Sequence, residues 1–245
     1  MSLSNITSQF KKKTKMPLKW TKKLVLSNKK ILRQGLKFFL YLNNFSYRQA
    51  GIWAMKYYGI HPKHLFNTYH SFFLDNINPD DSVLDFGCGK GELTLDIAKK
   101  AKRVAAYDMN EETIEYAKRF NSQDNIHYFL GDATKDMPDE KFDVIVSSNV
   151  LEHLKDPVEH LKKLKIIANK LLLRIPNIDR GWLVEVKKDL GVNYFLDPQH
   201  YREYTELSIA DELNKAGWKI TSIEHAGDEL RIVAHNINKN NSNGR

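Results

Sequence analysis

From residue 81 onward, short apolar runs alternate with segments whose apolar side chains recur every third or fourth position. SVLDF (82–86), RVAAYD (103–108), IHYFLGD (126–132), FDVIVSS (142–148) and KLLLRIP (170–176) read as buried strands. GELTLDIAKKA (91–101), EETIEYAKRF (111–120) with Asn110 as N-cap, and VEHLKKLKIIA (158–168) carry the helical period between them. Alternation at this spacing predicts a parallel sheet covered by helices on both faces. A helical stretch, DRGWLVEVKKDLG (179–191), and a loop ending in DPQHYREYT (197–205) interrupt the pattern. The helix ELSIADELNKAG (206–217) resumes it, and WKITSIEHA and ELRIVAH close it as strands around Gly227 and Asp228. So short a connection requires an antiparallel hairpin at one edge of the sheet.

Before residue 78 the pattern is helical throughout. Residues 1–18 form a polar, lysine-rich lead-in, and from Trp20 to Leu42 the residues Val25, Leu32, Leu36, Phe39 and Leu40 recur at helical spacings, with Gly35 a weak point. Two further helical segments are expected near 47–58 and 63–77. The chain therefore divides into a helical N-terminal extension (1–77), an α/β domain (78–236) with an insertion at 178–200, and a polar tail (237–245) whose few apolar groups cannot offset the entropy of ordering it.

The chain has 245 residues, enough for one α/β domain with a full core plus extra helices. Cys88 is its single cysteine, which rules out an intramolecular disulfide and fits a reducing, cytoplasmic setting. No apolar run approaches the length of a membrane span, and no signal-peptide pattern opens the sequence. The net charge of +8 is unevenly placed: the first acidic residue is Asp75, so residues 1–74 hold 14 Lys or Arg and no Asp or Glu. The remaining residues carry 24 bases and 30 acids. Such asymmetry points to an anionic partner, a membrane surface or a nucleic acid, or else to a solvated charged segment.

Candidate chemistry begins at DFGCGKGE (85–92), a glycine-rich turn between the first strand and its helix. It lacks the Ser or Thr that a Walker phosphate loop places after Gly-Lys. Its G-x-G-x-G differs from the dinucleotide G-x-G-x-x-G, and Asp85 and Glu92 beside it would oppose a pyrophosphate and favour a cation. Asp108 ends the second strand, where a carboxylate can accept both hydroxyls of a ribose. Asp132 follows the third strand, suited to an adenine amino group, with the Ala133 backbone beside it.

Together with FDVIVSSNVLEHL, these four segments resemble the class I S-adenosylmethionine-dependent methyltransferases over residues 64–235. The resemblance implies a Rossmann-like α/β fold with a seven-stranded mixed sheet in the order 3-2-1-4-5-7-6, its seventh strand antiparallel. It implies S-adenosyl-L-methionine as cofactor. Asp85, Gly87, Cys88 and Gly89 would form the turn around its methionine amino group, and Asp108 would bind the ribose. Met109 would lie beneath the adenine, Asp132 and Ala133 would read that base, and Ser148 and Asn149 would sit beside the sulfonium.

Methyl transfer to a hydroxyl needs alignment, desolvation and removal of one proton. His153 in LEH, and His200 and Tyr204 in H-x-R-x-Y, match segments of a subfamily that methylates small molecules and glycans, and are the candidate catalytic residues. Some related O-methyltransferases hold a divalent metal with Glu-x-x-Glu-His and a later His. Asn149 stands here in place of the first carboxylate, before Glu152, His153 and His200, so no metal is expected. No CxxC pair, RNA-binding module or Asn-Pro-Pro-Tyr motif occurs, which disfavours nucleobase methylation. The N-terminal helices and the 178–200 insertion, with Trp182, Tyr194 and Phe195, are expected to shape the acceptor pocket. YHSFFLDNI and DPQHYREYT resemble segments of enzymes that methylate sugars or other small acceptors, and the resemblance implies O-methylation of a sugar, glycan or other small acceptor, with the basic N-terminus beside the inner membrane face. The alternatives are an RNA 2′-hydroxyl methyltransferase and an inactive, membrane-associated cofactor-binding module.

Overall fold

The computed structural model describes residues 27–60, 62–66, 69–132, 135 and 138–237. The expected starts of the N-terminal helix at Trp20 and Val25, the adenine reader Ala133 and nearly all of the polar tail lie outside them.

Seven strands form one sheet: β1 (Ser82–Phe86), β2 (Arg103–Asp108), β3 (Ile126–Leu130), β4 (Phe142–Ser148), β5 (Ala168–Pro176), β6 (Trp218–Ala226) and β7 (Glu229–Asn236). Their order is β3-β2-β1-β4-β5-β7-β6, as the sequence reading expects. β1 pairs in parallel with β2 and β4, β2 with β3, and β4 with β5, whereas β7 runs antiparallel to β5 and β6. Because the strands are buried on both faces, they read as apolar runs without polar alternation. Consecutive residues nonetheless point to opposite sides. Val83 and Leu172 join the core on one face, and Leu84, Leu171 and Leu173 that on the other.

Helices complete the two layers. One face packs α3 (Tyr69–Asp75), α4 (Glu92–Ala98) and α5 (Glu111–Phe120) through Phe73, Ile97 and Ile114. The other packs α6 (Pro157–Ile167) and α8 (Glu206–Lys215) through Leu161, Leu164 and Leu213. Asn110 caps its helix as expected, accepting from the Thr113 amide, and the structure adds two caps of the same kind, Asp156 accepting from Glu159 and Thr205 from Ser208. Strand order reverses between β1 and β4, so the loops leaving the C-terminal ends of β1 and β4 diverge and open a crevice there.

The N-terminal region departs from expectation. The helices anticipated near 20–42 and 47–58 are one continuous helix, α1 (Lys29–Tyr58), capped by Asn28 and ended by Gly59 at φ 72°. Gly35 and Gly51 do not break it, since each weakens a helix by only about 1 kcal/mol. Asn43 and Asn44, which read as a gap between helices, tether it instead. Lys187 Nζ donates to both side chains, at 3.0 and 2.7 Å, and Asn44 Nδ2 donates to the Asn193 carbonyl at 2.7 Å. Leu40, the buried residue of α1, packs with Leu190 and Val192 at the end of α7 (Trp182–Leu190). Leu32, Leu36 and Phe39, which recur with Leu40 at helical spacing, are exposed. The third anticipated segment divides into the short α2 (Pro62–Phe66) and α3.

Candidate functional site

The crevice holds two adjoining cavities. The smaller, about 250 Å³, is walled by Phe86 and Gly87 after β1, Tyr107, Asp108 and Met109 after β2, Gly131 and Asp132 after β3, and Asn149, Val150, His153 and Leu154 after β4. Five of the residues assigned from sequence to cofactor binding therefore come together: Gly87, Asp108, Met109, Asp132 and Asn149. Met109 is 69% exposed and can cover an apolar ring face.

The glycine turn is held from below. Gly87 N and Cys88 N donate to the Tyr107 carbonyl at 2.8 and 2.9 Å, and Gly89 N donates to Asp108 Oδ2 at 2.8 Å. Asp108 Oδ1 also accepts from the Asn110 amide at 2.9 Å. These bonds fix the carboxylate and leave it lone pairs for ligand hydroxyls. Gly87 has φ 77°, and a Cβ there would lie 2.4 Å from Val150 Cγ2. Gly89 has φ 55°, and nothing lies within 4 Å of its missing Cβ, so bare backbone faces open space. Such a cradle, with the Asp85 and Asp108 carboxylates and no Lys or Arg among the described residues lining the cavity, fits an adenosyl sulfonium and not a pyrophosphate. Asp85 is buried and accepts from Thr94 Oγ1 at 2.6 Å. Burial pushes its carboxyl up to about 6, against the Thr94 hydrogen bond and helped by the Asp108 charge. Cys88 packs in the core, and Asp132 pairs with Lys135 at 3.0 Å.

The larger cavity, about 910 Å³, shares Asn149 and His153 with the first and runs to Ser148, Arg174, His200, Asp228, Glu229 and Lys63. Asn149 has φ 57°, the one described non-glycine residue at positive φ, and its amide donates to the Arg174 carbonyl at 2.7 Å. Ser148 Oγ accepts from Arg174 Nη1 at 3.3 Å. Arg174 forms a bidentate pair with Glu229, Nε to Oε2 at 2.7 Å, and lies over the Tyr69 ring. A third cavity of about 650 Å³ continues from Tyr47, Leu196 and Asp228 between α1 and α7, reaching Asn43, Leu183, Tyr194 and Phe195. Tyr194 and Phe195 line it as expected, whereas Trp182, at the outer end of α7, is 72% exposed and does not.

The two histidines meet because their loops are stitched together. Tyr201 N donates to the Glu152 carbonyl at 2.9 Å and Arg202 Nη2 to the Lys155 carbonyl at 2.8 Å, which places the His153 and His200 rings 4.8 Å apart, edge to face. Burial and the neighbouring His200 lower the affinity of His153 for a proton. His200 Nδ1 lies 2.9 Å from Glu203 Oε1. Burial opposes ionisation of Glu203, but hydrogen bonds from His200, the Leu196 amide and Arg180 outweigh it and hold the carboxyl below its usual range. An ionised carboxylate only accepts, so Nδ1 of His200 carries hydrogen, and in the neutral imidazole the lone pair is that of Nε2. Glu203 and Arg180 were not singled out from the sequence, although Glu203 stands inside H-x-R-x-Y.

Tyr204 requires correction. It is 1% exposed in the core beneath the sheet, and its backbone bridges Asn177, so it supports the loop and does not reach the cavity. Glu152 is also buried, and burial pushes its carboxyl up to about 7. Among the described residues, Glu152, His153 and His200 are the group able to hold a metal, with ligand atoms within 4.8 Å of one another.

Sequence and structure comparisons agree with this geometry. A family model described as "Methyltransferase domain" matches residues 58–223, more than half the chain, and the protein belongs to that family. A probable cobalt-precorrin-6B C(15)-methyltransferase (decarboxylating) of Methanococcus maripaludis is 37% identical over 106 residues, 40% of this chain and 57% of that protein. A ubiquinone biosynthesis O-methyltransferase of Coxiella burnetii is 31% identical over 141 residues, 54% of this chain and 59% of that protein. The chain thus spans somewhat over half the length of these curated relatives. Similar folds include an S-adenosylmethionine-dependent methyltransferase from Clostridium acetobutylicum (TM-score 0.58, 17% identity, 74% of this chain and 98% of that one). Magnesium protoporphyrin IX methyltransferase from Synechocystis, solved with bound S-adenosylhomocysteine, is another (TM-score 0.54, 20% identity, 71% and 82%). The fold is that of the class I S-adenosylmethionine-dependent methyltransferases.

Proposed function

We propose that the protein is an S-adenosylmethionine-dependent O-methyltransferase acting on a hydroxyl of a sugar, glycan or other small molecule. One observation carries this reading: the ribose- and adenine-sized cavity and the larger cavity share the wall formed by Asn149 and His153, with His200 beside His153 in the larger one. When bound, the cofactor supplies a methyl group already activated by its sulfonium charge.

The chain's own residues then have three tasks. Asp108, fixed by the Gly89 and Asn110 amides, accepts hydrogen bonds from the ribose hydroxyls. Asn149, held by the Arg174 carbonyl, sets the position of the junction. His200 Nε2 receives the acceptor's hydroxyl proton while Glu203, bonded to Nδ1, stabilises the resulting imidazolium. Ser148, Arg174, Asp197, Asp228 and Glu229 line the larger cavity with donors and acceptors, which suits a hydroxyl-rich acceptor. The similarity to a ubiquinone biosynthesis O-methyltransferase supports oxygen as the receiving atom.

The test is transfer of labelled methyl from S-adenosylmethionine to a panel of sugar nucleotides, lipid-linked glycans, phenols and single-stranded RNA. Label on a hydroxyl of one of the first three, abolished by His200→Ala with S-adenosylhomocysteine affinity retained, is the expected result. Label on RNA alone, or no label despite bound cofactor product, overturns the reading.

A further inference from the structure

We propose that α1 is an interfacial helix that seats the protein on an anionic membrane surface. Its 30 residues are capped at both ends, yet it touches the domain chiefly around Leu40, Asn43 and Asn44. The rest of its apolar content faces outward: Phe38 is 62% exposed, Phe39 64% and Trp53 74%, and Ile31, Leu42, Phe45 and Ile52 are exposed with them. At about 100° per residue, Ile31, Phe38, Leu42, Phe45, Ile52 and Trp53 fall on the side opposite Leu40, in one stripe along the helix. Isolated exposed apolar residues are ordinary, but a continuous stripe with aromatic members is not.

Charge selects the occupant. Lys30, Lys37 and Arg48 share one flank of that stripe, where long basic side chains can lay their stems along an apolar boundary and reach phosphate headgroups. α1 contains no Asp or Glu, and none occurs anywhere before Asp75. A second copy of the chain would bring two acid-free basic helices face to face in a two-fold contact, where like charges repel. Polyanionic RNA would meet the basic flank but leave the apolar stripe in water. Only an anionic bilayer interface answers both. No described helix is long and apolar enough to cross a membrane, so the contact lies in the plane of the surface. Asn43 and Tyr47, on the domain side of the same helix, line the cavity between α1 and α7, so docking leaves one helix diameter between that cavity and the bilayer.

Flotation of the full chain with lipid vesicles tests this independently of methyl transfer. The protein should float with vesicles of phosphatidylcholine and phosphatidylglycerol in equal parts, not with phosphatidylcholine alone, and less at high salt. Lys30→Gln/Lys37→Gln/Arg48→Gln should weaken partitioning by about a hundredfold. Phe38→Ser/Leu42→Ser/Trp53→Ser, all at exposed positions, should weaken it more than tenfold with S-adenosylhomocysteine binding unchanged. Failure of the wild type to float, or flotation indifferent to the apolar variant, overturns the proposal. So does a wild-type dimer that the apolar variant dissociates without any vesicle binding, which gives the face to a second copy. Retention of RNA without flotation gives it to nucleic acid and equally overturns the proposal.

Discussion

His200 Nδ1 sits 2.9 Å from Glu203 Oε1, and Glu203 is itself fixed by Arg180 and by the Leu196 amide. The carboxylate thus orients an imidazole that lines the larger cavity, where the acceptor is proposed to bind. Replacing Glu203 with Gln offers an amide that can donate to Nδ1 and turn the ring to the wrong tautomer. kcat should fall by about a hundredfold while KM for the cofactor stays constant. Nitrogen NMR of the imidazole should show hydrogen moved from Nδ1 to Nε2, a change that a purely supporting role would not produce.

Asp85 makes stability depend on pH. Its folded carboxyl titrates at about 6, above the ordinary value of 3.8, because burial disfavours the charge. Below about pH 3 both folded and unfolded chains hold the proton and there is no penalty. As pH rises to 6 the unfolded chain releases it first, and above that the folded state bears the full cost, about 3 kcal/mol for a shift of two units. Asp85→Asn, which still accepts from Thr94, should raise stability by about 2–3 kcal/mol at pH 8 and leave it unchanged at about pH 3, as read by urea unfolding.

The sheet was legible from sequence because its central strands lie between two helical layers and are apolar at most positions, as VLDF and VIVSS in β1 and β4 show. The cofactor turn was legible because Gly87 and Gly89 adopt backbone angles that few other residues tolerate. The N-terminus was less so. Asn43 and Asn44 read as a helix break, but their partners Lys187 and Asn193 are distant in sequence, and only the fold reveals them. Tyr204 misled for the complementary reason. It stands in the same H-x-R-x-Y segment as His200, which lines the larger cavity, while its own ring packs in the core where its backbone bridges Asn177. Glu203 was overlooked because a surface-like glutamate carries no mark of the Arg180 pair that buries it.

Asp108 bears most directly on the cofactor assignment, because it links the glycine turn to the adenosine-sized cavity. The decisive measurement is calorimetric titration of S-adenosylhomocysteine into the wild-type protein, Asp108→Asn and Asp108→Ala, with circular dichroism confirming the folds. Binding by the wild type, weakened at least tenfold in Asp108→Ala and less in Asp108→Asn, which keeps one acceptor oxygen, is the expected result. Absence of binding by the wild type, or equal affinity in all three proteins, would contradict it.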